Sequence, residues 1–200
     1  MSQAPDTFGC NGTSMKVAAG HYFDLRLPSA SAIEIQSIAA SLSKLCRYGG
    51  HCPNFYSVAE HCVLATNLAA SDGHTGQQLQ AVFLHDAAEA YTGDAIKPFK
   101  MMMREYSTVE MQIEDAASEA FGVDFLRWAG TIQRYDRAML KAEKLAFWPE
   151  DKEQWQGLGA IETRHVNFQF WDHREAEVNY LAMARTLGLC SPETRVLRAS

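Results

Sequence analysis

One histidine and three carboxylates crowd the segment His85-Asp86-Ala87-Ala88-Glu89-Ala90-Tyr91-Thr92-Gly93-Asp94. On a helix, residues three or four apart share a face, so Asp86 neighbours Glu89, and His85 lies one turn before Glu89. Carboxylates and an imidazole aimed inward need a cation between them, because uncompensated buried charge costs several kcal/mol or forces protonation. A divalent metal meets that need, and a metal-dependent hydrolase is the first chemistry the segment suggests. Two other residues extend the set. His61 precedes Cys62 and lies one turn before Ala65, which turns it inward, and Asp136 joins an apolar stripe of Met139, Leu140 and Leu145. Asp115 and Asp124 compete with Asp136 for the fourth place. Two imidazoles and two carboxylates suit Mn, Fe, Co, Ni or Zn, and the donor types do not decide among them. A cation held there lowers the pKa of bound water and screens phosphate charge.

Helices must position these groups. A Ser or Asp followed three residues later by Glu, the capping-box pattern, recurs at Ser31/Glu34, Ser57/Glu60 and Asp172/Glu175. Each precedes apolar residues at helical spacing: Ile35, Ile38, Leu42 and Leu45; Val58, Cys62, Ala65 and Leu68; Val178, Leu181, Ala184 and Leu187. Glu60 is better explained as a capping residue than as a ligand. A further helix is expected over Gln77–Tyr91, with the acidic motif late on it and Gly93 past its end. Others are expected over Arg104–Phe121, stopped by Gly122, and from about Thr131 to Trp148. His165–Phe170 alternates polar and apolar residues and reads as a short strand; Val17–Leu25, interrupted by Gly20, reads as a small hairpin. Ser71–Gly76 and Asp151–Gly159 read as loops. Met101-Met102-Met103 reads as loop and core filling, or a lid over the site.

The chain has 200 residues, 47% of them hydrophobic, enough for a single contiguous core. The expected division is a flexible tail at 1–14 and one domain over 15–200, all-α with at most minor short strands. No apolar run approaches the length of a membrane span and no signal-peptide pattern opens the chain, so a cytoplasmic protein is expected. Five cysteines without a Cys-x-x-Cys pair argue against a disulfide framework, and Cys46 and Cys62 read as core. A net charge of −6 disfavours a nucleic-acid polymer as partner. Cations near the acidic motif are few, namely Arg47, Lys97, Lys100 and Arg104, and that points to a small phosphate ester.

The pattern is similar to the HD-domain metal phosphohydrolases, nearest to the bacterial and phage 5′-deoxynucleotidases and deoxynucleotide phosphohydrolases. The resemblance rests on Arg47-Tyr48-Gly49-Gly50-His51, Phe55-Tyr56-Ser57-Val58-Ala59-Glu60-His61, His85 to Asp94, and Asp136 with Lys141-Ala142-Glu143. It covers roughly Phe23 to Leu145 and implies an HD-domain helical bundle. It further implies metal ligation by His61, His85, Asp86 and Asp136, acid/base or water-orienting roles for Glu89 and Asp94, and contact of Arg47 with substrate phosphate or sugar. His51 is open to loop surface, support of a neighbour or phosphate contact, and Lys97 before Pro98 is a further candidate for the substrate. The implied reaction is attack of water on the phosphorus beside the deoxyribose 5′-oxygen, from deoxynucleoside monophosphates first. The alternatives are a triphosphohydrolase releasing tripolyphosphate, as with dATP, and a nucleotide-sensing module without turnover. No GYP signature follows the His-Asp pair, so the cyclic-dinucleotide branch loses support. Relatives of this type often assemble as dimers or larger, which leaves a homo-oligomer open.

Overall fold

Helix α2 (Val58–Ser71) is buried almost all round, with Val58, Ala59, Cys62, Ala65, Leu68 and Ala69 apolar and Glu60, His61 and Thr66 polar among its buried side chains. A helix of that kind has to sit at the centre of the protein. In the computed structural model, which describes residues 12–190, α2 packs against α1 (Ile35–Leu42), α3 (Gln77–Leu84), α7 (Ala129–Phe147) and α8 (His173–Thr186). α4 (Glu89–Thr92) leans on α1 and on α6 (Arg104–Phe121), and α5 (Lys97–Met102) lies against α6. The fold is all-α with one two-stranded sheet, β1 (Ser14–Lys16) antiparallel to β2 (Tyr22–Asp24). The core runs from Ile38, Leu42 and Val58 through Phe83 and Leu84 to Ile113 and Tyr180, and each such side chain taken fully from water stabilises the fold by about 1.5–3 kcal/mol. Phe23 of the hairpin stacks on Tyr91 at 4.1 Å between centroids, pinning the sheet over α4. No helix among the described residues is long and apolar enough to cross a membrane.

The capping signals hold unevenly. Asp172 makes the full box, accepting from the Arg174 and Glu175 N–H groups while Glu175 returns to the Asp172 N–H. Ser57 accepts from Glu60 N, but the Glu60 carboxylate turns away and accepts N–H bonds from Gln169, Phe170 and Trp171 at 2.7–3.0 Å. Ser31 and Glu34 make no box: Ala30–Ala32 is a 3-10 turn, and α1 starts after Glu34 without a side-chain cap.

Other expectations need correction. Thr13 and Ser14, expected within a tail at 1–14, are tied down, since Thr13 Oγ1 donates to Asp24 Oδ1 and Ser14 pairs with Asp24 in the sheet. Residues 1–11, with Cys10, and 191–200 lie outside the described residues. The hairpin is real, but Val17–Gly20 forms its turn. His165–Phe170 is no strand; Val166, Phe168 and Phe170 do turn inward, yet the backbone donors of residues 169 and 170 go to Glu60 instead of a neighbouring strand. The helix expected over Gln77–Tyr91 breaks after Leu84 into a turn with 3-10 bonds from Ala87 N to Leu84 O and from Glu89 N to Asp86 O. Val178 and Leu145, expected inside, are 64% and 46% exposed; the buried faces carry Ala176, Tyr180 and Ala184 in α8 and Tyr135, Met139, Glu143 and Phe147 in α7. Cys62 is buried, but Cys46 is only partly so.

Candidate metal centre

The break after Leu84 lets two neighbours in sequence converge where a continuous helix would splay them about 100° apart. His85 Nε2 lies 3.2 Å from Asp86 Oδ2. From the middle of α2, the fully buried His61 brings its Nε2 to 3.3 Å from His85 Nε2 and 3.8 Å from Asp86 Oδ2. Each of the three offers one ligand atom within 4.8 Å of the others, the arrangement a metal ion requires. From α7, Asp136 Oδ1 approaches to 3.6 Å from His61 Nε2 and 3.9 Å from His85 Nε2, with its side chain 41% exposed at the open edge of the cluster. All four expected ligands therefore meet. Neither Asp115 nor Asp124 contributes to this group; the Asp124 carboxylate caps the Arg127 N–H instead.

The hydrogen bonds behind the imidazoles test whether this group fits a cation. His61 Nδ1–H donates to Glu143 Oε1 at 2.6 Å, and His85 Nδ1–H donates to the Val82 carbonyl at 2.7 Å. Both acceptors lack a proton to give, so the proton on each ring's Nδ1 is accounted for and Nε2 is the nitrogen turned to the centre. The two Nε2 atoms face each other at 3.3 Å beside Asp86 Oδ2, a buried oxygen that makes no hydrogen bond and has Arg47 Nη1 at 3.5 Å. Two imidazole nitrogens and a carboxylate oxygen converging in this way suit a cation, and locking the ring through the other nitrogen is how proteins orient metal-ligating histidines.

Glu143 is the buried hub behind the centre. Beside His61, it accepts from the Tyr56 hydroxyl at 3.0 Å and from the Tyr48 hydroxyl, and Arg47 Nη2 stands 3.4 Å from Oε2. Burial alone would raise its pKa, but Arg47, His61 and these hydrogen bonds outweigh burial and hold it well below the usual carboxylate range. Arg47 also reaches Asp86 with Nη1 at 3.5 Å, so its guanidinium is clamped between two carboxylates. Burial likewise opposes charge on Asp86, yet His85, His61 and Arg47 prevail and its pKa is lowered. The sequence marked Glu143 only as part of a resemblance. Its spacing of seven from Asp136, two turns along one helix face, is the signal that both look at His61.

Glu89 and Asp94 flank the cluster. Burial, then repulsion from Asp86 and Asp94, pushes Glu89 well up, while Lys100 Nζ donates to Oε1 at 3.0 Å and works against that rise; Oε2 is buried and unpartnered. Asp94 is raised chiefly by burial, with Arg47 opposing and Asp86 adding to it. Asp94 lines a cavity of about 370 Å³ with His51, Gly49, Ile96, Phe99 and Tyr106. His51 is thus placed on the cavity wall. Lys97 is exposed at the start of α5, and the lysine of that helix that reaches the centre is Lys100, which also donates to Glu110 at 2.6 Å. The side chain of Arg104 lies outside the described ones. Met101 and Met102 are exposed on α5 and fill no core.

No family model matches the chain. It is 33% identical over 113 residues to the uncharacterized protein RCAP_rcc00048 of Rhodobacter capsulatus, covering 54% of this chain and 58% of that one. It is 31% identical over 155 residues to the uncharacterized protein YfdR of Escherichia coli K12, covering 76% of this chain and 84% of that one. Identity at this level across most of both sequences means that the chain belongs to the YfdR family.

Proposed function

We propose that this protein is a metal-dependent phosphohydrolase of the HD-domain type that cleaves the 5′-phosphate ester of deoxynucleotides, monophosphates first, to the deoxynucleoside and phosphate. The observation that carries the reading is the convergence of His61 Nε2 and His85 Nε2 on Asp86 Oδ2, with Asp136 at the open edge. A divalent ion held by those four residues would supply a water of lowered pKa and neutralisation of the phosphate charge. Glu89, with Oε2 buried and free of a hydrogen bond, would orient the attacking water and take its proton. Asp94, on the cavity wall, gives a proton to the departing 5′-oxygen as the phosphorus–oxygen bond breaks. His51 on the same wall and Arg47 behind it supply positive and hydrogen-bonding groups for the phosphate and sugar, with exposed Lys97 a further candidate at the rim.

The charges support a monophosphate over a triphosphate. Arg47 and Lys100 each already serve two carboxylates, which leaves little uncommitted positive charge near the cluster for a polyphosphate tail. The reading places the protein in the cytoplasm, where nucleotides and reduced thiols are found, as a small-molecule enzyme or a homo-oligomer of such units. A screen of mono- and triphosphates of the four deoxynucleosides with Mn, Co, Zn and Mg tests it. Inorganic phosphate from a monophosphate, lost in Asp86→Ala, is the expected result; tripolyphosphate would move the substrate to the triphosphate. Metal and nucleotide binding without any turnover would replace the enzyme by a sensing module.

A further inference from the structure

The loop that carries Arg47, Tyr48 and His51 is bracketed by two thiols. Cys46 Sγ and Cys52 Sγ lie 3.5 Å apart, at contact distance. Their positions are set by backbone pairing. Cys46 bridges to Ser57, Arg47 N donates to Tyr56 O, and the Cys52 thiol donates to Asn54 O at 3.1 Å. Between them the chain turns through three successive left-handed residues, Tyr48, Gly49 and Gly50, with φ of 59°, 60° and 81°. A non-glycine residue held at positive φ stores strain, so Tyr48 makes this a loop that gains from a restraint. Both sulfurs are only partly buried, within reach of a small oxidant.

We propose that Cys46 and Cys52 form a reversible disulfide that locks this loop over the metal centre. Closing a bond of about 2.0 Å from the present contact moves the sulfurs together by only about 1.5 Å, so the locked loop keeps the arrangement described here. In that arrangement the Arg47 guanidinium is committed to Glu143 and Asp86 and not to a phosphate. The oxidant is a low-molecular-weight disulfide such as glutathione disulfide. Burial, then the hydrogen bond with Cys46, pushes the Cys52 thiol up to about 11, so Cys52 is the second nucleophile, not the first. Cys46, as thiolate, bonds to one glutathione sulfur; the glutathione disulfide bond breaks and the departing thiolate takes a proton. Cys52, losing its proton to solvent, then attacks the Cys46 sulfur and expels the second glutathione. The protein loses two hydrogens and the glutathione disulfide is reduced to two thiols.

The experiment uses the full chain loaded with Mn and equilibrated with glutathione disulfide, then with dithiothreitol. Peptide mapping by mass spectrometry is expected to find a Cys46–Cys52 cross-link, with the intact mass lower by two hydrogens. Amide hydrogen exchange over residues 46–56 slows in the oxidised form. Losing one charge-assisted bond to phosphate raises KM for a deoxynucleoside monophosphate by about tenfold or more, and dithiothreitol restores it. Cys46→Ser and Cys52→Ser keep the parent kinetics and respond to neither reagent. Glutathione adducts that persist on either cysteine without the internal cross-link would overturn the proposal, as would a cross-link that leaves exchange unchanged. The KM readout rests on the phosphohydrolase reading; if no deoxynucleotide is hydrolysed that reading falls, while the cross-link and the exchange still decide the disulfide.

Discussion

Replacing Glu143 by glutamine keeps the shape of the side chain and removes its charge, and the structure says what should follow. The carboxylate takes the His61 Nδ1 proton in a 2.6 Å bond, which leaves Nε2 free to bind metal. An amide has one acceptor where Glu143 uses two oxygens, and its NH2 group, if turned to His61, forces the proton onto Nε2, where it blocks ligation. Loss of such an outer partner weakens metal binding by about 10–100-fold, equivalent to roughly 1.4–2.7 kcal/mol. The fold suffers as well. Arg47 loses one of its two carboxylates inside the protein, and breaking a buried pair costs about 3–5 kcal/mol when no other partner remains. Asp86 does remain, so a loss near the lower end, about 3 kcal/mol, is expected. Titration calorimetry with Mn against the parent, on protein shown folded by circular dichroism, measures the first effect. A folded Glu143→Gln protein that binds Mn as tightly as the parent would refute the reasoning. Acid provides an independent check. The folded-state pKa of Glu143 is depressed, so its contribution is present above the unfolded value near 4.3 and fades as pH falls from there toward the folded value.

Three other outcomes follow from the same geometry. Lys100→Met frees Glu89 Oε1 and should lower turnover by about tenfold without changing metal stoichiometry, while Lys100→Arg recovers most of it; unchanged turnover in Lys100→Met would remove Lys100 from the account. Glu114 on α6 is pushed up to about 7 by burial, then by Glu110, with Lys100 opposing and Asp86 and Asp115 adding to it. A raised acid is favoured in its protonated form, so its drag on stability develops as pH rises from about 4.3 to about 7; Glu114→Gln should therefore raise Tm at pH 8 and leave it unchanged at pH 4. Glu60→Gln places an amide where three backbone N–H groups expect a carboxylate, and a denaturant titration should show a loss of about 1.5–3 kcal/mol.

His61 and Asp136 could be read from the sequence because each sits at a helical position whose neighbours declare the inward face, Cys62 and Ala65 beside His61 and Met139 beside Asp136, and His85 and Asp86 because acidic groups crowd their segment. Their mutual distances could not. His85 and Asp86 diverge on an ideal helix, and Ala87 and Ala88, both strong helix formers, give no local sign of the break that brings them together. The hub at Glu143 escaped a role for a related reason. A glutamate near lysines on a helix ordinarily faces water, and only the arrival of Tyr48, Tyr56 and Arg47 from a loop some ninety residues earlier makes this one internal. Lys97 was a candidate and Lys100 only one of several nearby cations, because α5 has no buried residue to show which side turns inward. The alternation over His165–Phe170 was read correctly as a pattern of burial and wrongly as a strand. A sheet needs a second backbone, and here a single carboxylate supplies the acceptors.

Of the four side chains around the candidate centre, those of His61, His85 and Asp86 are 0%, 7% and 16% exposed, and that of Asp136 is 41% exposed. That imbalance gives the centre a door. An ion would enter and leave past Asp136, displacing its carboxylate first and the histidines last, so the lifetime of the loaded protein is set on α7 while its affinity is set mostly on α2 and the turn after α3. Shortening Asp136 would then quicken exchange with a chelator far more than it would alter how many ions the protein can hold.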